Sequence, residues 1–146
     1  MPRLSFSMAL AITLAMTIAC VSNAPPRRTA GSTEHLTDCR LFLVAAQQKA
    51  EISASLRSVG FQLADDLLDA PYFLRVTLGN EQGSRSCGAL QNVKYSLRRD
   101  GIEVLSIAGK GWSGSCQPNV FDLASRELAA AFEGSCNVQP AEGGPS

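Results

Sequence analysis

The sequence feature that most constrains the fold is the Asp100–Gly101 pair, which lies between two segments suited to β-strands. In residues 89–99, apolar side chains alternate with polar ones, as expected for a strand with one buried face. Asp-Gly is a strong signal for a two-residue β-hairpin turn. Residues 102–112 are therefore predicted to return as the partner strand, with Arg98 opposite Glu103. On that register, one face is shared by Val93, Tyr95, Leu97, Val104, Ser106 and Ala108.

The segment before the hairpin predicts a strand, a helix and two more strands. Residues 40–46 are apolar on both faces, which is typical of a strand buried on both sides. Residues 47–59 carry a helical apolar stripe, and Gly60 follows at a position where glycine commonly ends a helix. Two short strands are predicted over 61–64 and 72–78, the second from its alternating apolar side chains.

A second helix is predicted over residues 120–133. Asn119 is a favoured N-cap residue, and Asp122 follows where an acidic side chain completes a capping box. The element order is therefore β-α-β-β-β-β-α. This order predicts an α+β fold, a two-layer sandwich in which two helices cover one face of a small, mostly antiparallel mixed sheet.

The N-terminus has the organisation of an export signal, with a basic start followed by an apolar stretch that is too short and too polar for a membrane span. Residues 17–20, Thr-Ile-Ala-Cys, resemble a bacterial lipobox. The resemblance implies that residues 1–19 are a signal peptide and that Cys20 is acylated, for example with palmitate. Val21 stands where an aspartate would imply retention at the inner membrane, so the resemblance implies the periplasmic face of the outer membrane.

A second cleavage site competes with the lipobox. Residues 22–24, Ser-Asn-Ala, fit ordinary signal peptidase, and cleavage there would give a soluble periplasmic or secreted protein that starts at Pro25. Proline has a fixed φ and no N–H, so it fits an extended protease site poorly. Arg27 and Arg28 count against export, because basic residues usually stay on the cytoplasmic side. Lipid anchorage remains the main prediction.

Composition divides the rest of the chain into three parts. Residues 20–36 are rich in Pro, Ser, Thr and Gly, which predicts a flexible tether. Residues 37–137 form the predicted α/β domain, and residues 138–146 form a predicted disordered tail. Thirteen basic and thirteen acidic residues balance each other over the chain. A nucleic-acid partner is therefore not expected, because such proteins usually carry a basic excess.

The four cysteines of the domain are expected to form two disulfides, since exported domains occupy compartments where disulfides persist. Three pairings are possible. The hairpin register favours pairing of Cys87 with Cys116, provided that a bulge near Gly109, Gly111 or Gly114 shifts the strand register so that the two cysteines meet. Cys39 then pairs with Cys136 by elimination.

The stretch LRSVGFQLADDLLDAPYFLRVTLG, residues 56–79, joins a helix ending in Gly-Phe, a short strand, an Asp-rich turn and the motif Ala-x-Tyr-x-Leu-x-Val. Over residues 40–78 the pattern resembles small periplasmic and outer-membrane lipoproteins with a compact α/β domain. Activators of penicillin-binding proteins and lipoprotein components of envelope assembly machines are examples. The resemblance implies a module that binds envelope proteins.

The motifs that suggest catalysis or metal binding are incomplete. The segment GKGWSGSC, residues 109–116, does not follow the Gly-x-Ser-x-Gly pattern of a nucleophile elbow, and the one histidine, His35, lies in the predicted tether. Asp65, Asp66 and Asp69 lack the ligand spacing of a calcium loop. We therefore expect neither an enzyme nor a metal site, and no cofactor or small-molecule substrate.

The residues expected to contact a partner are mostly basic. Arg75, Lys94 and Arg98 are predicted to share the uncovered sheet face with Phe73, and Trp112 is either a core residue or a partner anchor. The predicted function is a lipid-anchored periplasmic module that binds an envelope protein and assists an envelope assembly or a cell-wall enzyme. The alternative is a periplasmic inhibitor or immunity protein of a cell-wall-degrading enzyme or toxin.

Overall fold

The computed structural model describes residues 24–31, 35–133 and 135–136. The predicted signal peptide, Cys20 and the predicted tail lie outside the described residues. Within them, no helix combines the length and apolar character that crossing a membrane requires. A 3₁₀ turn, Leu67–Asp69, precedes β4. The strands and helices are β1 (Arg27–Gly31), β2 (Arg40–Ala45), α1 (Lys49–Ser58), β3 (Gln62–Leu63), β4 (Tyr72–Leu78), β5 (Gly83–Arg85), β6 (Gly88–Arg99), β7 (Ile102–Trp112) and α2 (Val120–Ala131).

The seven strands form one open sheet in the order β1-β7-β6-β4-β2-β3, with β5 paired to the start of β6. β2 runs parallel to β3 and β4, and the remaining pairs are antiparallel. Parallel neighbours need a crossover connection, and α1 provides it between β2 and β3. The predicted α+β class, with a mostly antiparallel mixed sheet and two helices, is confirmed.

The core lies between the sheet and the two helices. Phe132 follows α2 and packs edge-to-face against Phe61 and Tyr72, with ring centroids 5.1 and 5.6 Å apart. Such aromatic pairs stabilise a core beyond the area that they bury. The sheet contributes Leu41, Leu43, Leu74, Val76, Val93, Tyr95, Leu97, Leu105 and Ile107, and the helices contribute Ile52, Leu56, Val120, Phe121, Ala124 and Leu128.

The strand β1 corrects the interpretation of residues 20–36 as a flexible tether. Arg27–Gly31 pairs antiparallel with β7 at the edge of the sheet, and the backbone N–H of Lys110 donates to the carbonyl of Ala24 at 2.8 Å. All five residues of β1 are exposed. An edge strand without a buried face carries no apolar alternation, so the pattern that predicts strands is missing here.

A β-bulge corrects the predicted hairpin register. Arg98 does lie opposite Glu103, but Leu97 lies opposite Leu105, which leaves Val104 as the extra residue. Leu105 and Ile107 consequently face the core, where the predicted register would have placed Ser106 and Ala108. Burial of the two larger apolar side chains favours the bulged pairing.

Both disulfides that the favoured pairing requires are present, Cys39–Cys136 and Cys87–Cys116. The bulge lies at Val104 near the hairpin turn, not near Gly109, Gly111 or Gly114 as predicted, and it brings the residue opposite Cys87 one position closer to Cys116. Gly88 lies so close to the Ser113 carbonyl that a Cβ atom would overlap it. The backbone beside the Cys87–Cys116 bond is therefore held at a separation that only glycine permits.

Asn119 caps α2 as predicted. Its Oδ1 accepts hydrogen bonds from the backbone N–H groups of Phe121 and Asp122, at 2.8 and 3.2 Å. Asp122, expected to complete a capping box, accepts a 2.7 Å hydrogen bond from the hydroxyl of Ser55. This contact links α2 to α1 and orients the two helices on the sheet.

Candidate partner-binding site

The face of the sheet opposite the helices carries the candidate site. Alternation along β4 turns Phe73, Arg75 and Thr77 to this face, while Tyr72, Leu74 and Val76 are buried on the other side. In the register of β4 with β6, Phe73 lies opposite Arg98 and Thr77 lies opposite Lys94. The uncovered face therefore has two ends, which differ in character.

At the Phe73 end, the sheet and the 3₁₀ turn enclose a groove of about 530 Å³. We call it the Phe73 groove. Its apolar side comes from Leu67, Leu68, Pro71 and Phe73, and its polar side from Arg75, Arg98 and Asp100. A concave apolar surface with a few charged groups is the usual form of a binding site.

The Asp66 side chain stabilises the turn that forms the apolar side of the groove. Its carboxylate accepts a 3.0 Å hydrogen bond from the N–H of Leu68, which caps the 3₁₀ turn and directs the two leucines outward. Leu67 is 50% exposed and Leu68 is 90% exposed. The rings of Phe73 and Phe42 lie 6.0 Å apart on the neighbouring strands, which extends the apolar surface onto β2.

The polar side of the groove carries a net positive charge, because it has two arginines and one aspartate. The Arg75 guanidinium lies 5.7 Å from the centre of the Phe73 ring, within the range of a cation–π contact. The Nε of Arg98 is buried and has no hydrogen-bond partner among the residues that the structure describes. A buried donor without a partner raises the free energy of the unbound protein, and a ligand that carries an acceptor removes this cost only if the Arg98 side chain turns toward it.

Three of the five predicted contact residues meet in this groove: Phe73, Arg75 and Arg98. Lys94 lies on the predicted face but four positions further along the strands, about 13 Å at the usual strand rise. Trp112 is half-buried at the end of β7, and the Arg85 guanidinium lies 4.2 Å from the centre of its ring. The structure therefore does not bring Lys94 and Trp112 to the groove, and their contact with a partner stays a prediction.

The sequence interpretation missed Leu67 and Leu68. They lie in the acidic stretch ADDLLDA, which predicts a solvated loop, and two adjacent leucines match neither the helical nor the strand period. Their sequence context was the available signal. Two adjacent large apolar residues between aspartates fit neither the helical nor the strand pattern of buried positions, which indicates that they are exposed.

The other sequence candidates have structural roles or lie at the surface. The Ser113 hydroxyl is buried and exchanges 3.2 Å hydrogen bonds with the backbone of Ala89. His35 Nδ1 lies 3.6 Å from the Glu133 carboxylate, and both side chains are exposed. Over residues 24–31, 35–133 and 135–136, no three His, Cys, Asp or Glu side chains are grouped as metal ligands.

The hydroxyl of Tyr95 is the one buried titratable group with a strong shift among the described residues. Burial raises the pKa of Tyr95 far above its usual value, and the side chain lies 3.5 Å from the hydroxyl of Ser125 in the core. This phenol is therefore neutral and serves packing between β6 and α2.

Comparisons with protein-family models and with curated proteins give no match. Among solved structures, the chain is similar to the dodecamer of a PelC point variant from Paraburkholderia phytofirmans, with 15% identity, coverage of 74% of this chain and 98% of that one, and a TM-score of 0.48. A second PelC dodecamer from that organism gives 15% identity, coverage of 78% and 99%, and a TM-score of 0.47.

A minor lipoprotein from Acinetobacter baumannii is also similar, with 16% identity, coverage of 72% of this chain and 99% of that one, and a TM-score of 0.40. At these identities and scores, the similarity assigns neither a family nor a function. A functional proposal for this chain therefore depends on the geometry of its own residues.

Proposed function

We propose that this protein is a lipid-anchored, non-enzymatic module of the bacterial envelope that binds an acidic segment of another envelope protein in the Phe73 groove. The lipobox-like sequence at Cys20 supports anchorage at the periplasmic face of the outer membrane. By binding that protein, the module assists an envelope assembly or a cell-wall enzyme.

The observation that carries the proposal is the presence, in one groove, of exposed leucines and of an arginine whose buried Nε has no hydrogen-bond partner in the described part of the chain. Complete burial of one leucine side chain contributes about 1.5–3 kcal/mol, and Leu68 is 90% exposed in the free protein. Leaving a buried donor such as Arg98 Nε without a partner costs about 1–3 kcal/mol. A segment that places an apolar side chain against Leu68 gains from the first term, and it gains from the second if its carboxylate draws the Arg98 side chain into the groove so that Nε acquires a partner.

The test of groove binding compares two substitutions of exposed apolar residues. Leu68→Glu alters the groove, and Ile102→Glu alters another exposed apolar position, which does not line it. Each full-length variant is cross-linked in the native envelope, and captured proteins are quantified. We expect Leu68→Glu to reduce capture of a defined partner by about tenfold or more, the equivalent of about 1.4 kcal/mol, and Ile102→Glu to retain it.

Equal capture by wild type and both variants would refute the groove as the binding site. Once a partner is captured, Arg98→Lys provides a sharper comparison, because lysine keeps the charge but lacks Nε. We expect that substitution to weaken binding as well. Unchanged affinity would mean that the unpaired nitrogen does not contribute to partner binding.

Anchorage and the absence of catalysis have separate tests. Mass spectrometry of the mature N-terminus is expected to find acylated Cys20, and Cys20→Ser is expected to release the protein from membranes without altering the domain. A mature protein that starts at Pro25, or an uncleaved chain, would refute anchorage. Turnover of any cell-wall substrate by the purified protein would refute the non-enzymatic assignment.

One observation favours a second function, inhibition of a cell-wall-degrading enzyme or toxin. Residues 79–88 form a braced loop, because β5 pairs with β6, Arg85 stacks on Trp112 and Cys87 is bonded to Cys116. A rigid loop inserts into an active site at low entropic cost. Capture of a hydrolase that loses activity when it binds this protein would favour this function. The Arg85→Glu variant should then fail to inhibit the hydrolase, whereas Leu68→Glu should still inhibit it.

A further inference from the structure

The opposite end of the uncovered sheet face carries a second concave surface, of about 600 Å³. We call it the Lys94 pocket. Its lining includes Thr77, Asn92, Lys94 and Lys110, together with Ala24 at the start of the described chain. The Phe73 groove does not use any of these residues.

The Lys94 pocket is basic. Lys94 lies opposite Ala108, which in turn lies opposite Arg27, and Lys110 lies opposite Asn92. Three cations therefore lie at one end of one face: Lys94 is exposed, Lys110 is 9% exposed, and Arg27 is exposed beside the pocket. In the part of the chain that the structure describes, ion pairs join His35 to Glu133 and Asp38 to Arg40, and no carboxylate pairs with these three cations.

The pocket is also close to the predicted lipid attachment. The Ala24 carbonyl is fixed by the 2.8 Å hydrogen bond from Lys110 N–H, so contact with the sheet extends to this residue. Cys20 lies four residues earlier. Four residues span at most about 14 Å when fully extended, whatever their conformation. An acyl group on Cys20 therefore holds the Lys94 pocket within reach of the bilayer surface.

We propose that the Lys94 pocket is a membrane-contact surface that binds the headgroups of anionic phospholipids and orients the domain on the bilayer. The inference rests on the proposed acylation of Cys20. Each cation close to an anionic surface adds to the attraction, and a basic patch beside an acyl chain is a known way to strengthen anchorage. The Phe73 groove, at the other end of the strands, then points away from the membrane toward a partner.

Lysine labelling provides the test, because the chain contains only three lysines, Lys49, Lys94 and Lys110. The substitution Ile102→Lys adds a reporter at the hairpin tip, the far end of the face, where Ile102 is 69% exposed. The acylated chain carrying that substitution is placed on vesicles of phosphatidylcholine with phosphatidylglycerol, on phosphatidylcholine alone, and in neutral detergent. Acetylation rates are then read by mass spectrometry.

On vesicles with phosphatidylglycerol, we expect acetylation of Lys94 to be slowed about threefold or more relative to detergent, and the hairpin reporter to be unaffected. High salt is expected to reduce the protection, because it screens exposed charges. Equal rates at Lys94 in all three settings, or equal protection of the hairpin reporter, would overturn the proposed orientation. Equal protection on both kinds of vesicle would overturn recognition of anionic headgroups.

A further arm separates this inference from the proposed anchorage. Four of the five cysteines are in disulfides, so a maleimide lipid couples selectively to Cys20 in a chain that starts at that residue. The coupled chain tests the surface whether or not the cell acylates Cys20. An unmodified native N-terminus refutes anchorage, whereas an unprotected Lys94 in the coupled chain refutes the membrane-contact surface.

Discussion

Replacement of Glu51 by alanine is expected to destabilise the domain more than most single substitutions on a helix surface do. Glu51 lies in the first turn of α1, and its Oε1 accepts hydrogen bonds from Gly114 N–H at 2.7 Å and from Asn119 Nδ2 at 2.9 Å. Asn119 is the N-cap of α2. One carboxylate therefore ties the start of α1 to the loop that starts α2.

The magnitude depends on the partners that remain after substitution. A hydrogen bond to a charged group contributes about 1.5–3 kcal/mol, but water replaces the carboxylate at Gly114 N–H, which is exposed. Asn119 Nδ2 keeps its 2.7 Å bond to the Gly114 carbonyl. We therefore expect Glu51→Ala to cost about 2–3 kcal/mol, and Glu51→Gln, which keeps a neutral acceptor, to cost about half as much.

Urea denaturation followed by the fluorescence of Trp112, the only tryptophan, measures the free energy of unfolding. Glu127→Ala is the matched control, because it removes a glutamate from an exposed position of α2 and is expected to change stability by no more than about 0.5 kcal/mol. The reasoning fails if Glu51→Ala matches that control, or if Glu51→Gln costs as much as Glu51→Ala.

Three more predictions concern crosslinks, pH and close backbone packing. Cys39 and Cys136 are 97 positions apart, and Cys87 and Cys116 are 29 apart. By loop entropy, replacing the first pair by alanine should lower the free energy of unfolding by about 4.7 kcal/mol, and replacing the second pair by about 3.6 kcal/mol. Equal losses in urea denaturation would contradict that account. Hydrogen bonds from Arg40 lower the pKa of Asp38 below its usual 3.8, so NMR titration should find a lower midpoint, and Arg40→Ala should raise it. The stabilising contribution is then present above pH 3.8 and lost as pH falls through the lower folded-state pKa. Gly88→Ala should cost about 1–3 kcal/mol of stability because the new Cβ overlaps the Ser113 carbonyl. Gly83→Ala is the control, because its Cβ meets Trp112 at an ordinary 3.5 Å. Equal Tm values for the two variants would refute this reasoning.

The parts of the fold that were predictable are those in which local chemistry and burial agree. Asp100 and Gly101 adopt φ values of 53° and 79°, which their residue types tolerate, so the turn was evident from the sequence. β1 was not evident, because an exposed edge strand leaves no apolar period. The bulge at Val104 was not evident either, since no glycine marks it and only core packing selects it.

Of the candidate site, the sequence predicts only the residues that lie on neighbouring strands. Alternation on β4 places Phe73 and Arg75 on one face, and the pairing of β4 with β6 adds Arg98. The same alternation also selects Lys94, although strand length separates it from the groove by about 13 Å. Leu67 and Leu68 join the site through a turn whose direction depends on the Asp66 cap, which residue period alone does not reveal.

The position of β1 next to β7 has a consequence for the order of assembly. The β6–β7 hairpin closes across two residues, whereas β1 meets β7 only after about 80 residues have been brought together. Loop entropy makes such distant pairing slow. The same loop entropy applies to the disulfides, whose cysteines are 29 positions apart in Cys87–Cys116 and 97 apart in Cys39–Cys136. During oxidative refolding, alkylation and mass mapping should find Cys87–Cys116 first, and the reverse order would contradict this. The first strand of the chain is thus expected to be among the last parts of the sheet to form.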